Sequence, residues 1–238
     1  MRPANVPQPE ETGTVEGLAW ALFLPDRPAE GGVVVLHGAG SRKESHYDFA
    51  GLCAASGLAA VVFDQRGHGE SGGALDGRAV ADVVAVSSVL PPGPVGLRGS
   101  SMGGYLAIVA ADAVGARGVV AICPATAQGL SEGVERHEYD FAADERGLRA
   151  LLAEYPEDVA AEDIPCPLLL LHAAEDEVVP VHLSERLHQR SVGSQLVIVP
   201  GGHHRSVQHD PDLQALSVRF LQEAFAVDED EDDDYDDD

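Results

Sequence analysis

Val95-Gly96-Leu97-Arg98-Gly99-Ser100-Ser101-Met102-Gly103-Gly104-Tyr105-Leu106-Ala107 joins two kinds of backbone. A short run able to form a buried strand stops at Gly99-Ser100-Ser101-Met102-Gly103, and a segment of helical character begins at once. The frame Gly-x-Ser-x-Gly suits a strand, a tight turn and a helix with Ser101 at the apex. The apical residue must take a strained conformation in which side chains two positions away on either side would collide, and glycine at 99 and 103 removes both collisions. Such a turn lifts the Ser101 hydroxyl off the sheet and sets the Met102 N–H at the start of the helix. Alone the frame is weak, because a chain with 26 glycines produces it by chance. A structural glycine turn is the bland alternative, and the flanking sequence decides between the two.

Working outward, Val33-Val34-Val35-Leu36 and Leu58-Ala59-Ala60-Val61-Val62-Phe63 precede this turn. Gly118-Val119-Val120-Ala121-Ile122-Cys123, Leu168-Leu169-Leu170-Leu171 and Gln195-Leu196-Val197-Ile198-Val199 follow it. These runs carry no polar alternation, as expected of strands buried on both faces, and helical patterns separate them. Ser45 is expected to cap a helix over Phe49, Leu52, Cys53 and Ser56, and Asp210-Pro211 to open a last helix with Leu213, Leu216, Phe220 and Ala224 inward. The alternation predicts an α/β fold, a mostly parallel central sheet with helices on both faces. Thr14 to Leu24 suits an edge strand or hairpin. Residues 125–165 break the rhythm and are too long for a plain crossover, which predicts a short cap insertion.

The expected organisation is a flexible segment over 1–14, one domain over 15–227 with its cap at 125–165, and a disordered acidic tail over 228–238. That tail holds ten acidic residues and no base; the rest of the chain still carries −15 of the formal −25. Lys43 is the single lysine among fifteen basic residues. So acidic a surface argues against nucleic acid as a partner and matches what adaptation to high salt produces. Without a twenty-residue apolar run or a signal-peptide core, the chain is expected to be soluble, cytoplasmic and free of membrane association. Cys53, Cys123 and Cys166 are odd in number and widely spaced, as buried reduced thiols are. The sequence leaves the oligomeric state open.

In an open parallel sheet, reactive groups gather beyond the carboxyl ends of the strands. His37-Gly38-Ala39, Asp64, Ser101, Asp176 and His204 all fall there. A serine hydroxyl needs an adjacent base, and the base needs a carboxylate to fix its tautomer. The chain supplies serine, acid and histidine in that order.

In these residues the sequence resembles the α/β-hydrolases, close to small esterases and acyl-hydrolases. The resemblance rests on His37-Gly38-Ala39-Gly40, Asp64-Gln65-Arg66-Gly67-His68-Gly69-Glu70-Ser71, Gly99-Ser100-Ser101-Met102-Gly103-Gly104, Asp176 within Glu175-Asp176-Glu177-Val178-Val179-Pro180, and Pro200-Gly201-Gly202-His203-His204. It covers residues 15–225. It implies Ser101 as nucleophile, His204 as general base, Asp176 as the acid that orients it, and the backbone N–H groups of Ala39 and Met102 as an oxyanion hole. A shift of one residue would exchange His204 for His203, and Glu175 and Glu177 flank Asp176. His37 and His68 are read as loop-shaping residues.

The expected activity is hydrolysis of a small carboxylic ester or thioester through an acyl-enzyme, with no cofactor. The alternatives are a peptidase or amidase of the same fold and a noncatalytic module that keeps the hydrolase shell. His203, His204 and His209 cluster in sequence, but the side chains of neighbours diverge and no acidic ligand stands at motif spacing, so no metal is expected.

Overall fold

The computed structural model describes residues 6–226, and the acidic run 228–238 lies outside the described residues. In chain order the elements are β1 (Glu11–Val15), β2 (Leu18–Phe23), β3 (Gly32–Leu36), α1 (Tyr47–Ala55), β4 (Ala59–Phe63), α2 (Ala79–Ser87), β5 (Val95–Ser100), α3 (Met102–Val109), α4 (Ala111–Val114), β6 (Gly118–Ile122), α5 (Ala127–Glu135), α6 (Glu145–Glu154), α7 (Glu157–Glu162), β7 (Leu168–Ala173), α8 (His182–Arg190), β8 (Gln195–Val199) and α9 (Pro211–Ala226). The strands form one eight-stranded sheet in the order β1-β2-β4-β3-β5-β6-β7-β8. Pairing is parallel from β4 across to β8, and antiparallel where β2 meets β4 and β1. The mostly parallel sheet expected from the sequence is the one observed.

The period of two along each strand divides the core. Val34, Leu36, Val61, Leu97, Val119 and Leu170 face α2, α3 and the helices after β6. Val33, Val35, Ala60, Val62, Val120 and Leu169 face α1 and α9, against Phe49, Cys53, Val218 and Leu221. Covering both faces explains why the strands read as unbroken apolar runs. β5 departs from this on its α1/α9 side, where it presents Gly96 and Arg98. A Cβ on Gly96 would stand 2.7 Å from Leu221, so α9 lies directly on the strand there.

Two expectations need correction. The proposed boundary after residue 14 cuts through β1, whose residues from Glu11 pair with β2. A Cβ on Gly13 would lie 2.5 Å from the Trp20 ring, so the glycine is what lets the indole cover this edge. Ser45 does not cap α1: Lys43–His46 form a 3₁₀ turn, and α1 begins at Tyr47 with no side-chain cap bond. The turn is pinned from outside, since the Lys43 N–H donates to Asp64 Oδ1 at 2.8 Å. The Asp210 cap is present: its Oδ1 accepts from the N–H groups of Asp212 and Leu213 at 3.0 and 3.1 Å.

Between β6 and β7 the chain makes three short helices, α5 to α7. They are tied down by Thr126 Oγ1 accepting from the Gly129 N–H, Glu157 Oε2 accepting from the Ala127 N–H, and the Tyr105 hydroxyl donating to the Tyr155 carbonyl. Among the described residues no helix is long and apolar enough to cross a membrane.

Candidate active site

Ser101 sits at the apex between β5 and α3 with φ +54° and ψ −118°, a region that costs an L-residue about 1–3 kcal/mol. Three bonds hold the strain. The Ser101 N–H donates to the Ile122 carbonyl at 2.9 Å, and the Ser101 carbonyl accepts from the N–H groups of Tyr105 and Ala125, both at 3.0 Å. The two glycines of the frame differ in their roles. A Cβ on Gly99 would lie 2.0 Å from the Gly103 carbonyl oxygen, closing the turn on itself. One on Gly103 would lie 2.3 Å from the Leu36 carbonyl oxygen, so this glycine lets α3 start against the end of β3.

Asp176 follows β7, and its carboxylate is fully buried. Oδ1 accepts from the N–H groups of Val178 and Val179, each at 2.8 Å. Oδ2 lies 2.7 Å from His204 Nδ1. Burial pushes the carboxyl upward, but His204 and the two amides outweigh it and hold it below the ordinary aspartate value. Since a carboxylate only accepts, it is His204 Nδ1 that carries the hydrogen of this bond. His204 and Ser101 border one cleft. His203 is exposed and turned into its own loop, its Nδ1 accepting from the Arg205 N–H at 3.3 Å. Of the two histidines, it is His204 that meets the acid, and Glu175 and Glu177 remain on the surface.

His172, wholly buried beneath the acid, donates from Nε2 to the Val179 carbonyl at 2.8 Å and accepts at Nδ1 from the Ser184 hydroxyl at 2.7 Å. Burial lowers its pKa, which keeps it neutral. His172 therefore fixes the loop that fixes Asp176.

The turn after β3 lies on the other side of Ser101. A Cβ on Gly38 would stand 3.3 Å from Ser101 Cβ, and Ala39 borders the cleft with Ser101 and His204. His37 and His68 brace this turn. His37 donates from Nδ1 to the Gly38 carbonyl at 2.8 Å and accepts at Nε2 from the Gln65 N–H at 3.0 Å. His68 donates to the Arg66 carbonyl at 3.0 Å and accepts from the Gly40 N–H at 3.2 Å. Burial brings His37 down to about 4 and lowers His68 as well. Behind them Asp64, fully buried, accepts from the Lys43 N–H and Nζ at 2.8 Å each and from the Glu70 N–H at 2.9 Å. Burial raises the Asp64 carboxyl, yet the Glu70 amide and Lys43 bring it below its usual value.

A family model described as serine aminopeptidase, S33, matches residues 27–143, and one described as TAP-like protein matches residues 152–232. The ferulic acid complex of Est1E from Butyrivibrio proteoclasticus superposes with a TM-score of 0.70 at 18% identity, over 90% of this chain and 96% of that one. The chain is an α/β-hydrolase. It is 29% identical over 202 residues to an uncharacterised protein of Mycobacterium tuberculosis, covering 81% of this chain and 67% of that one. It is also 28% identical over 199 residues to the mitochondrial palmitoyl-protein thioesterase ABHD10 of Bos taurus, covering 69% of this chain and 63% of that protein. Thus the α/β-hydrolase described here spans about two thirds of the length of these curated relatives, and those named for an activity are hydrolases.

In this α/β-hydrolase the cap closes over an apolar pocket beside the Ser101 turn, lined by Met102, Leu130, Val134, Tyr139, Leu148 and Leu152 among others. Leu130 and Tyr139 also border the cleft that holds Ser101, so the two spaces adjoin. The cap is laced to the loop after β4: Phe141 stacks on His68 with ring centres 4.3 Å apart, and the Ala142 N–H donates to the Gly67 carbonyl at 3.3 Å.

Cys123 is the residue that sequence reasoning missed. It directly follows β6 with φ +43° and places its thiol, with Asp176 and His204, in a group whose ligand atoms lie within 4.8 Å of one another. Zinc accepts such donors. Here the His204 Nδ1–H is already given to Asp176, and burial followed by the charge of Asp176 raises the thiol pKa, so sulfur keeps its proton. The set fits a hydrogen-bonded acid better than a metal. The strand-ending position was legible, but the strained φ was not.

Proposed function

We infer that this α/β-hydrolase is a serine hydrolase that cleaves a carboxylic ester or thioester through an acyl-enzyme. The observation that carries the reading is the 2.7 Å bond from His204 to the buried Asp176. It leaves Nε2 as the basic nitrogen on the cleft that Ser101 also borders. Ser101 Oγ attacks the carbonyl while His204 Nε2 takes its proton, and Asp176 steadies the imidazolium. The Met102 and Ala39 N–H groups receive the oxyanion, each worth about 3 kcal/mol in the transition state. Collapse passes the proton to the leaving alcohol or thiol, and water repeats the sequence to release the acid.

The apolar pocket beside Met102 takes the acyl end, and its close packing favours short acyl groups. The acidic surface turns away polyanions, which leaves small uncharged substrates. A thioester is a natural variant, since the bovine relative is named a palmitoyl-protein thioesterase. The match to the serine aminopeptidase family model favours a second reading, cleavage of an amide.

A fluorophosphonate probe tests the mechanism: wild type should be labelled and Ser101→Ala should not. A wild type that resists the probe would instead point to a noncatalytic module with the hydrolase shell. A panel of p-nitrophenyl esters of graded length, acyl-thioesters and aminoacyl amides then assigns the bond. Faster turnover of aminoacyl amides than of short esters would replace the ester reading with the second one.

A further inference from the structure

On the α1/α9 face of the sheet, β5 carries a charge where its neighbours carry valine. Arg98 is 1% exposed. Its guanidinium carbon stands 3.8 Å from the centre of the Phe49 ring, and Nη2 donates to the Gln208 carbonyl at 3.0 Å. Nε has no hydrogen-bond partner among the described residues, and no ion pair to Arg98 is formed among them either. The acid that acts on it, Asp48, is committed to His209 at 2.9 Å and Gln214 at 2.8 Å.

His46 stands close by. It is 2% exposed, and neither ring nitrogen has a partner among the described residues. Arg98 is the charged group that acts on it most strongly. Phe49, under the guanidinium, follows His46 by one turn of the chain, and the His46 ring stacks on that of His209, next to Gln208.

A guanidinium stripped of water is expensive to hold unless a counter-charge is near, and an aromatic face with one carbonyl offsets only part of that. Burial draws Arg98 down to about 10, so it is still a cation at neutral pH. An imidazole with two unmet nitrogens adds to the deficit. A leucine or methionine at 98 would carry no buried charge.

We propose that Arg98 and His46 form an internal receptor for a small monovalent anion of chloride size, held between β5 and the 3₁₀ turn that precedes α1. The anion accepts from the Arg98 Nε–H and a His46 ring N–H. The ion proposed is a small one, because Phe49 beneath the guanidinium is fully buried. The net negative charge of the chain does not forbid it, because exposed carboxylates are screened by solvent and ions whereas the guanidinium acts at contact in a poorly screened interior. Such an ion would tie the strand that leads into Ser101 to the loop that follows His204, through Gln208. The inference does not rest on the proposed catalytic reading.

Crystals of the full chain grown in sodium bromide test it directly: an anomalous peak within bonding distance of Arg98 Nε and His46 is expected. Density there without anomalous signal would mean a water molecule and would overturn the proposal. In solution, thermal unfolding is followed while sodium chloride replaces sodium gluconate at fixed ionic strength. Wild type should gain several degrees in Tm and then level off as one site fills. Arg98→Met should lose this response and, relieved of a buried charge, melt no lower than wild type in gluconate. His46→Leu should weaken it. Equal chloride responses in wild type and Arg98→Met would also reject the site.

Discussion

Two aspartates with fully buried carboxylates flank the cleft, and they differ in what stands opposite. Asp64 meets Lys43, a permanent cation, with Nζ at 2.8 Å. Asp176 meets the imidazole of His204, at 2.7 Å. Each accepts further bonds from backbone amides, and each is held below the ordinary aspartate value. Geometry and burial being so alike, the partner decides the role. A permanent cation opposite it makes Asp64 a fastener for the turn beside Ser101, while an imidazole whose Nδ1–H it accepts makes Asp176 the group that orients His204.

The largest expected effect follows from that difference. Asp176→Asn keeps an oxygen for the amides of Val178 and Val179 but presents an NH₂ to His204. The imidazole then moves its proton from Nδ1 to Nε2, the nitrogen that should be bare. Hydrolysis of the best p-nitrophenyl ester should fall by roughly 10³–10⁴-fold, with a urea midpoint close to wild type. Asp64→Asn should do the reverse. Removing one member of a buried ion pair strands the other, and stability should drop by about 3–5 kcal/mol in urea unfolding, while turnover per folded molecule changes much less. Were both variants to lose activity and stability together, the two carboxylates would share one role and the contrast would fail.

The sheet and the serine turn were legible because their causes are local. Unbroken apolar runs declare strands buried on both faces, and Gly99 and Gly103 declare a turn with no room for Cβ. Asp176 and His204 were legible as strand-end residues, and that His204 rather than His203 bonds to Asp176 depends on a contact spanning 28 residues. The Asp64 fastener was not legible. Lys43 entered the reading only as the single lysine of an acidic chain, and two of its partners, Asp64 and Glu70, lie 21 and 27 residues away. Arg98 was likewise absorbed into an apolar strand run, since composition does not tell which face of a strand a charge will take. The start of β1 was missed because polar edge residues carry no periodic signal.

The two halves of the comparison also separate along the pH axis. His37 braces the Asp64 side as a buried neutral ring with its pKa near 4. The unfolded chain binds that proton near 6.5. Between these values the unfolded state holds more protons, so stability is full above about 6.5 and falls as the pH drops toward 4, by about 3 kcal/mol from this residue alone. His46, His68 and His172 are lowered by burial and act in the same direction. The contributions of Asp64 and Asp176 are lost only at more acid pH, because their folded values lie below 3.8. Urea midpoints measured from pH 7 to pH 4 should decline steadily, and a flat profile would mean that His37 is not held neutral.

The smallest expected effect sharpens the account of the fastener itself. Lys43 Nζ also reaches Glu70 Oε2, at 2.5 Å, but the Glu70 side chain is 76% exposed where that of Asp64 is fully buried. An exposed carboxylate gives up little hydration and gains little from the pair, so Glu70→Gln should cost no more than about 1 kcal/mol, less at high salt. The Glu70 N–H, which Asp64 needs, survives the substitution. Urea unfolding at low and high salt separates the cases. A loss as large as that of Asp64→Asn would make the ammonium the centre of the cluster and both acids its equivalent ligands. A small, salt-sensitive loss leaves the buried carboxylate as the group around which the turn, the loop after β4 and, through His68 and Phe141, the cap are arranged.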